Sequence, residues 1–206
     1  MNKYENIQAW KEENLDPVSC TFCTAKWKQV TLHLHNGFTH SCHHPVSHKI
    51  PLEELKDNPS ALHNTKFKKE QRKLMLEGKR PAECDYCWRV EDSGSEELSD
   101  RTYKSFEPWA QPHIQDIVDK GWDDNVNPSY LEVSFSSVCN LKCSYCSPQV
   151  SSKWMEEIKE HGPYNTSNKF NDVQHLIQTD AMPIPNREPN PYIEAFWKWW
   201  PDVSKD

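Results

Sequence analysis

The stretch "SVCNLKCSYCSPQ", residues 137–149, places three cysteines within eight positions. Cys139, Cys143 and Cys146 are separated by three and then two residues, and they follow the predicted strand "NPSYLEVSFSS". A 4Fe–4S cluster offers four irons to thiolate ligands, so three thiolates would leave one iron open. A structural zinc site takes four ligands and leaves no vacancy. The spacing therefore favours an iron–sulfur cluster with one accessible iron.

Composition limits the compartment and the partners. The chain has 206 residues, a formal net charge of -7 and eight cysteines. Its first residues, "MNKYENIQAWKEENLDP", lack the apolar core of a secretion signal, and no run approaches the ~18 apolar residues of a spanning helix. We therefore expect a cytoplasmic protein with no membrane partner, in which cysteines serve metal binding or catalysis rather than disulfides. The acidic balance argues against a nucleic acid as a partner.

The segment "KQVTLHLHNGFTHSC", residues 28–42, is predicted to form a hairpin because apolar and polar residues alternate on both sides of Asn36-Gly37. A two-residue turn there would place Cys42 opposite Thr31. A straight strand would then separate Cys42 from Cys23 by about 26 Å, so the chain must fold back after Cys23 if the two share a ligand. The hairpin histidines are expected to be solvated on the polar face rather than to bind zinc: His33, His35, His40, His43, His44 and His48.

Apolar periodicity and capping residues predict four helices outside the hairpin. The first covers residues 65–77, with Phe67, Leu74 and Met75 on one face. The second covers 112–121, and the third covers 151–161 with Ser151 or Ser152 as its cap. The last begins at Asn190-Pro191, and its core-facing stripe consists of Ile193, Phe196, Trp197 and Trp200. Residues 162–191 are rich in Asn and Pro and are expected to form a long surface loop.

The motif "CNLKCSYC" resembles the C-x3-C-x2-C signature of radical S-adenosylmethionine enzymes, including an aromatic residue, Tyr145, before the last cysteine. The resemblance implies that Cys139, Cys143 and Cys146 hold a 4Fe–4S cluster whose open iron chelates S-adenosylmethionine, with Tyr145 near the adenine. An electron donor would reduce the cluster, and cleavage of the sulfonium would give a 5′-deoxyadenosyl radical that abstracts hydrogen from a substrate. The sequence identifies no catalytic acid, base or hydrogen donor.

The cysteines of the first half have a second spacing. Thirteen residues lie between Cys23 and Gly37, four lie between Gly37 and Cys42, and Cys84 and Cys87 form a C-x2-C pair. This pattern resembles the twitch domain, a shortened relative of the SPASM domain, and implies a second, auxiliary 4Fe–4S cluster on these four thiols. Most relatives carry this domain after the barrel, whereas members from phages and marine bacteria carry it first. Relatives often modify peptides, which favours a peptide or protein substrate.

Cys20 lies outside the spacing of the resembled domain, so we interpret it as a buried or partly buried free thiol. The alternative is that Cys20 replaces Cys23 as a ligand. A different class of protein is also open: Cys20/Cys23 and Cys84/Cys87 could form two knuckles of a non-enzymatic zinc-binding module. That interpretation leaves Cys42 unused and the triplet incomplete.

The expected fold is an α+β cluster-binding hairpin-plus-helix domain followed by the first βα portion of a (β/α) partial barrel, a truncated α/β unit. The predicted segments are a twitch-like domain at 1–98, a helical linker at 99–129 and the start of the barrel at 130–206. The Gly-Gly-Glu-type segment of the resembled family is missing, because no two of the five glycines are adjacent. We therefore expect an inactive fragment whose triplet strand is poorly paired and whose last helix lacks its sheet.

Overall fold

The computed structural model describes residues 3–94, 97–165 and 169–205, with side chains from residue 6 onward. The chain is mixed α and β, which confirms the prediction at that level. The helices and strands are α1 (Lys3–Asn14), α2 (Ala25–Lys28), β1 (Gln29–His33), β2 (Phe38–His40), β3 (His48–Lys49), α3 (Leu52–Leu55), α4 (Lys66–Leu76), α5 (Asp85–Asp92), α6 (Asp100–Phe106), α7 (Ile114–Lys120), β4 (Tyr130–Ser134), α8 (Ser152–His161), α9 (Val173–Gln178) and α10 (Pro191–Val203).

The four strands form one sheet in the order β3-β2-β1-β4. β1 is antiparallel to β2 and parallel to β4, and it pairs with β4 over five residues, from Gln29 opposite Tyr130 to His33 opposite Ser134. The expectation of a poorly paired triplet strand is therefore wrong. A parallel partner needs a long crossover, and the helical chain between β1 and β4 supplies it.

The hairpin has a wider turn than predicted. Thr31 lies opposite His40 rather than Cys42, so the predicted register is wrong by two residues. The amide of Gly37 bonds to the carbonyl of His33 at 2.8 Å, which closes a four-residue turn in place of the two-residue one. An even shift leaves each side chain on its original face. The apolar face is fully buried as expected, at Val30, Leu32 and Leu34.

Helix α10 covers this apolar face, so the expectation that the last helix lacks a sheet is wrong. Its buried side chains follow the helical repeat and share one core cluster with β1: Tyr192, Ala195, Phe196, Trp199 and Val203. Trp197 and Trp200 are 57% and 40% exposed, which corrects the predicted stripe at those two positions. The helix begins as predicted, because the Asn190 side chain accepts hydrogen bonds from the amides of Tyr192 and Ile193.

Helix α4 begins and ends close to its predicted bounds, with Thr65 as its N-cap. Its buried face is different from the prediction: Phe67 is 43% exposed, whereas Lys68 and Arg72 are fully buried beside Met75. The polar groups are paired inside the core, which permits this burial. Arg72 donates to the Asn64 side chain at 2.9 Å and to the Lys26 carbonyl at 3.2 Å, and Lys68 donates to Nδ1 of His63 at 2.9 Å.

The predicted long loop at 162–191 contains structure of its own. It includes α9, and Leu176 and Ala181 are buried. The amide of Ile184 bonds to the carbonyl of His35 at 2.7 Å, which ties the segment to the hairpin. The Asn- and Pro-rich composition concealed this short helix. Residues 166–168 lie outside the described residues.

Other local predictions are confirmed. Helix α7 ends before Gly121, which has a φ of +75°. Helix α8 is capped by Ser151, whose hydroxyl accepts from the amide of Trp154 at 3.4 Å.

Helix α1 is not among the predicted helices, because its charged sequence shows no apolar repeat. Within the described ranges, none of the helices combines the length and apolar content needed to cross a bilayer.

We expect Gly37→Ala to lower the free energy of unfolding by about 3 kcal/mol or more, since it combines left-handed strain with overpacking. Gly37 has a φ of +74°, and a Cβ there would overlap the ring of Tyr192, whose hydroxyl bonds to the Ile50 carbonyl at 3.3 Å. Gly94→Ala is the matched control, because Gly94 has a φ of +70° and a Cβ added there would meet no atom within 4 Å. It should cost only about 1–2 kcal/mol. Urea unfolding of samples with equal metal content measures both, and equal losses would contradict the clash.

Candidate functional site

Four cysteines from separate parts of the chain line one pocket. Cys23 precedes α2, Cys42 follows β2, Cys84 precedes α5 and Cys87 lies within α5. Three of the thiols are buried, and Cys42 is half-buried. This is the set that the resemblance to the twitch domain implies for an auxiliary cluster. The fold brings together residues as much as 64 positions apart in sequence, from 23 to 87.

The chain folds back between Cys23 and β1, as the spacing argument required. The amide of Lys26 bonds to the carbonyl of Cys23 at 3.1 Å, and the single helical turn α2 replaces extended chain before the strand begins. Cys23 therefore approaches Cys42 without a straight strand between them.

Arg101 of α6 holds this entry segment in place. Its guanidinium donates to the carbonyls of Phe22 at 2.9 Å and Cys20 at 3.0 Å, and it pairs with Glu91 of α5 at 2.6 Å. Arg101 is only 4% exposed, so these bonds lie in a region of low dielectric. Sequence reasoning gave no indication of this role, because the partners are backbone carbonyls and a distant carboxylate.

Burial raises the pKa of all four pocket thiols, and that of Cys87 reaches about 12. The thiols are therefore protonated in the absence of metal, and metal binding would release their protons. Lys26 and Arg101 lie close enough to favour the thiolate of Cys23. Burial disfavours the Lys26 ammonium itself, but Cys84 and Glu83 beside it outweigh that effect and raise its pKa. The pocket thus supplies positive charge for an anionic thiolate–metal centre.

Thiolate ligands stand at different distances from one another in a zinc site and in a 4Fe–4S cluster. Within the described residues, which include all eight cysteines, no three sulfurs lie within 4.8 Å of one another. Thiolates that share one zinc at 2.3 Å stand about 3.8 Å apart. Each cysteine of a 4Fe–4S cluster binds a different iron, so its sulfurs stand further apart. Thiolates are ligands of both kinds of centre, so the donor set is compatible with either.

Cys20 does not line this pocket. Its side chain is exposed and its sulfur lies 3.8 Å from the carbonyl of Gly78. The expectation of a buried or partly buried thiol is wrong, because the turn that carries Cys23 inward leaves Cys20 at the surface.

The triplet lies on the loop between β4 and α8, and its three thiols are half-buried. The first turn of α8 holds this loop. The Ser152 hydroxyl accepts from the amide of Cys139 at 3.1 Å and donates to its carbonyl at 3.0 Å, and the Trp154 indole donates to the carbonyl of Cys143 at 3.0 Å. The amide of Cys146 bonds to that same carbonyl at 3.0 Å.

Tyr145 is 91% exposed. The neighbouring Cys143 side chain raises the pKa of the Tyr145 hydroxyl, and the charges of Cys146 and Cys139 add to the effect. The Tyr145 hydroxyl therefore lies near the triplet thiols. An open pocket beside Cys146 is lined by the aromatic rings of Tyr145, Trp154 and Tyr164.

The two groups of cysteines lie at opposite ends of the sheet. The triplet follows the carboxyl end of β4, whereas Cys23 precedes the amino end of the parallel strand β1. Five residues of strand separate those ends by about 16 Å. The seven thiols therefore fall into two separate groups.

The prediction that the hairpin histidines are solvated is wrong for most of them, since of these six only His43 is exposed. Side chains on the polar face of the hairpin shield one another from solvent. His33 contacts His40 at 3.2 Å, and Thr31 donates to Glu132 of β4 at 2.9 Å. Burial lowers the pKa of His35 to about 4 and that of His48 to about 3, so both are neutral at physiological pH.

In the metal-free protein at pH 8, we expect iodoacetamide to alkylate Cys20 far faster than Cys87. Only about one Cys87 in 10,000 is a thiolate at pH 8 when the pKa is about 12, and the thiolate is the reacting species. Raising the pH toward 12 should speed the reaction of Cys87. Mass spectrometry of the two peptides over time measures both rates, and similar rates at pH 8 would contradict the burial of Cys87.

Comparison of the chain with protein-family models, curated proteins and solved structures found no match.

Proposed function

We propose that the chain is a radical S-adenosylmethionine protein with two 4Fe–4S clusters. Cys139, Cys143 and Cys146 would hold the cluster that binds S-adenosylmethionine at its open iron. The observation that carries the proposal is the placement of three neighbouring thiols directly after the carboxyl end of a parallel strand. In barrel enzymes, the active site lies at that end of the strands.

The residues around the triplet suit this role. When bound, the cluster and S-adenosylmethionine would supply the 5′-deoxyadenosyl radical chemistry of the resembled family. Ser152 and Trp154 fix the loop backbone, and they leave the thiols half-buried and accessible to a ligand and an electron donor. Tyr145 and Trp154 line the adjacent open pocket, whose aromatic walls can stack against a purine.

The four-thiol pocket supports an auxiliary cluster in which every iron has a protein ligand. Cys23, Cys42, Cys84 and Cys87 would supply one thiolate each. The buried Lys26 and Arg101 lie beside the pocket and offset the negative charge of four thiolates. The resemblance to twitch-containing enzymes favours a peptide or protein as the substrate.

The test uses the 206-residue chain reconstituted anaerobically with iron and sulfide. We expect a brown protein with about eight irons per chain, half of them in each cluster. Mild oxidation should convert one cluster per chain to a 3Fe–4S form detectable by electron paramagnetic resonance, because only the triplet leaves an iron without a protein ligand. S-Adenosylmethionine should slow that conversion.

Because the chain has no Gly-Gly-Glu-type segment to grip the amino group of S-adenosylmethionine, we expect it to release no 5′-deoxyadenosine by itself. The readout is therefore the state of the clusters rather than turnover. A colourless protein that takes up zinc on its thiols and no iron would refute the proposal and favour the non-enzymatic zinc-binding module.

A further inference from the structure

Three side chains outside the two thiol groups converge on one point. Nε2 of His44 lies 2.6 Å from Oδ2 of Asp100, and Nε2 of His43 lies 3.3 Å from that same oxygen. The three atoms all lie within 4.8 Å of one another. In the described part of the chain, this is the one group of three or more His, Cys, Asp or Glu ligand atoms so close together.

The donor set and the spacing match a small divalent metal ion. Imidazole nitrogen and carboxylate oxygen are ligands that zinc, cobalt and nickel accept. Tetrahedral ligands at 2.0–2.1 Å from zinc lie about 3.3 Å from one another. The distance from His43 to Asp100 already has this value, and His44 would need to move by about 0.7 Å to exchange its hydrogen bond for a metal bond.

The surrounding structure orients two of the three ligands. The His44 ring stacks on Tyr86 of α5 with centroids 3.7 Å apart and an interplanar angle of 10°, and its side chain is only 14% exposed. Asp100 is the first residue of α6 and is two-thirds buried. The side chain of His43 is 61% exposed and can adjust to a metal ion. A fourth position would remain open to water.

We propose that His43, His44 and Asp100 bind one divalent metal ion of the zinc class, at a site separate from both groups of thiols. The site lies at the rim of the four-thiol pocket, because His44 and Asp100 also line that pocket. Lys104 lines it as well and opposes a cation there, and the Asp100 carboxylate offsets this charge. A bound ion would tie the segment after Cys42 to α6. The proposal does not depend on which cofactor the thiols hold.

The experiment measures zinc binding to the iron-reconstituted chain, with zinc as the probe. One zinc per chain is expected, and X-ray absorption at the zinc edge should show nitrogen and oxygen at 2.0–2.2 Å with no sulfur at 2.3 Å. Mutation of a residue that only hydrogen-bonds to a metal ligand lowers metal affinity about 10–100-fold. His44 would be a ligand itself, so His44→Ala should weaken zinc binding by at least about 100-fold. Asp100→Asn should also weaken it.

His161→Ala is the matched control, since His161 is an exposed histidine on α8 next to Glu160. It should bind zinc as the original chain does. Circular dichroism confirms that each variant is folded, and Asp100→Asn keeps the size of the side chain in case His44→Ala unfolds. Two results would overturn the proposal. One is that the X-ray absorption signal lost in His44→Ala or Asp100→Asn comes from zinc bound to sulfur. The other is that both variants bind zinc as tightly as the control.

Discussion

Cys23→Ala is expected to remove the auxiliary cluster and to lower the iron content from about eight to about four atoms per chain. Cys23 lines the pocket with Cys42, Cys84 and Cys87, and no other thiol replaces it there. The expected control is Cys20→Ala, which should keep the full iron content. Cys20 lies three residues away in sequence, yet its exposed thiol contacts Gly78 outside the pocket.

Iron and sulfide assays on both variants, reconstituted side by side, decide this prediction. The four irons that remain in Cys23→Ala should still give the 3Fe–4S signal on mild oxidation, because the triplet cluster is untouched. If Cys20→Ala lost the iron and Cys23→Ala kept it, Cys20 would be the ligand and the turn at α2 would differ from the structure. Unchanged iron in both would mean that this pocket holds no cluster.

Cys143→Ala is expected to remove the other cluster. It takes away the central thiol of the triplet, so the iron content should again fall by about half, and oxidation should give no 3Fe–4S signal. The remaining brown colour should come from the closed, four-thiolate cluster. S-Adenosylmethionine should have no effect on this variant.

Ser144→Ala is the control for Cys143→Ala, because it alters the adjacent side chain and leaves every thiol in place. It should hold about eight irons and keep the 3Fe–4S signal. Cys143→Ala with its iron unchanged would show that the triplet is not a cluster site, and the radical S-adenosylmethionine assignment would fail with it. Together with Cys23→Ala, this pair tests whether the two centres are independent, as their places at opposite ends of the sheet require.

Sequence alone predicted the features that depend on near neighbours in the chain. Asn190, Thr65 and Ser151 cap helices through hydrogen bonds to amides two or three residues away. The sequence predicted a helix beginning at or next to each of these residues. The alternation of Val30, Leu32 and Leu34 identified the buried face of β1, because side chains alternate between the two faces of every strand. The resemblance of the cysteine pattern to the twitch domain implied a group of Cys23, Cys42, Cys84 and Cys87, and these four residues do line one pocket.

Tertiary structure alone decided the features that depend on distant parts of the chain. The pairing of β4 with β1 joins residues about 100 positions apart, and no local pattern encodes that partner. The same holds for the burial of Lys68 and Arg72, which depends on hydrogen bonds to His63 and Asn64. His44 and Asp100 meet for the same reason: they lie 56 residues apart, and their contact exists only after the hairpin and α6 have packed together. Local bonds and strand alternation act over a few residues, whereas the identity of a buried group's partner is set by the packing of the whole chain.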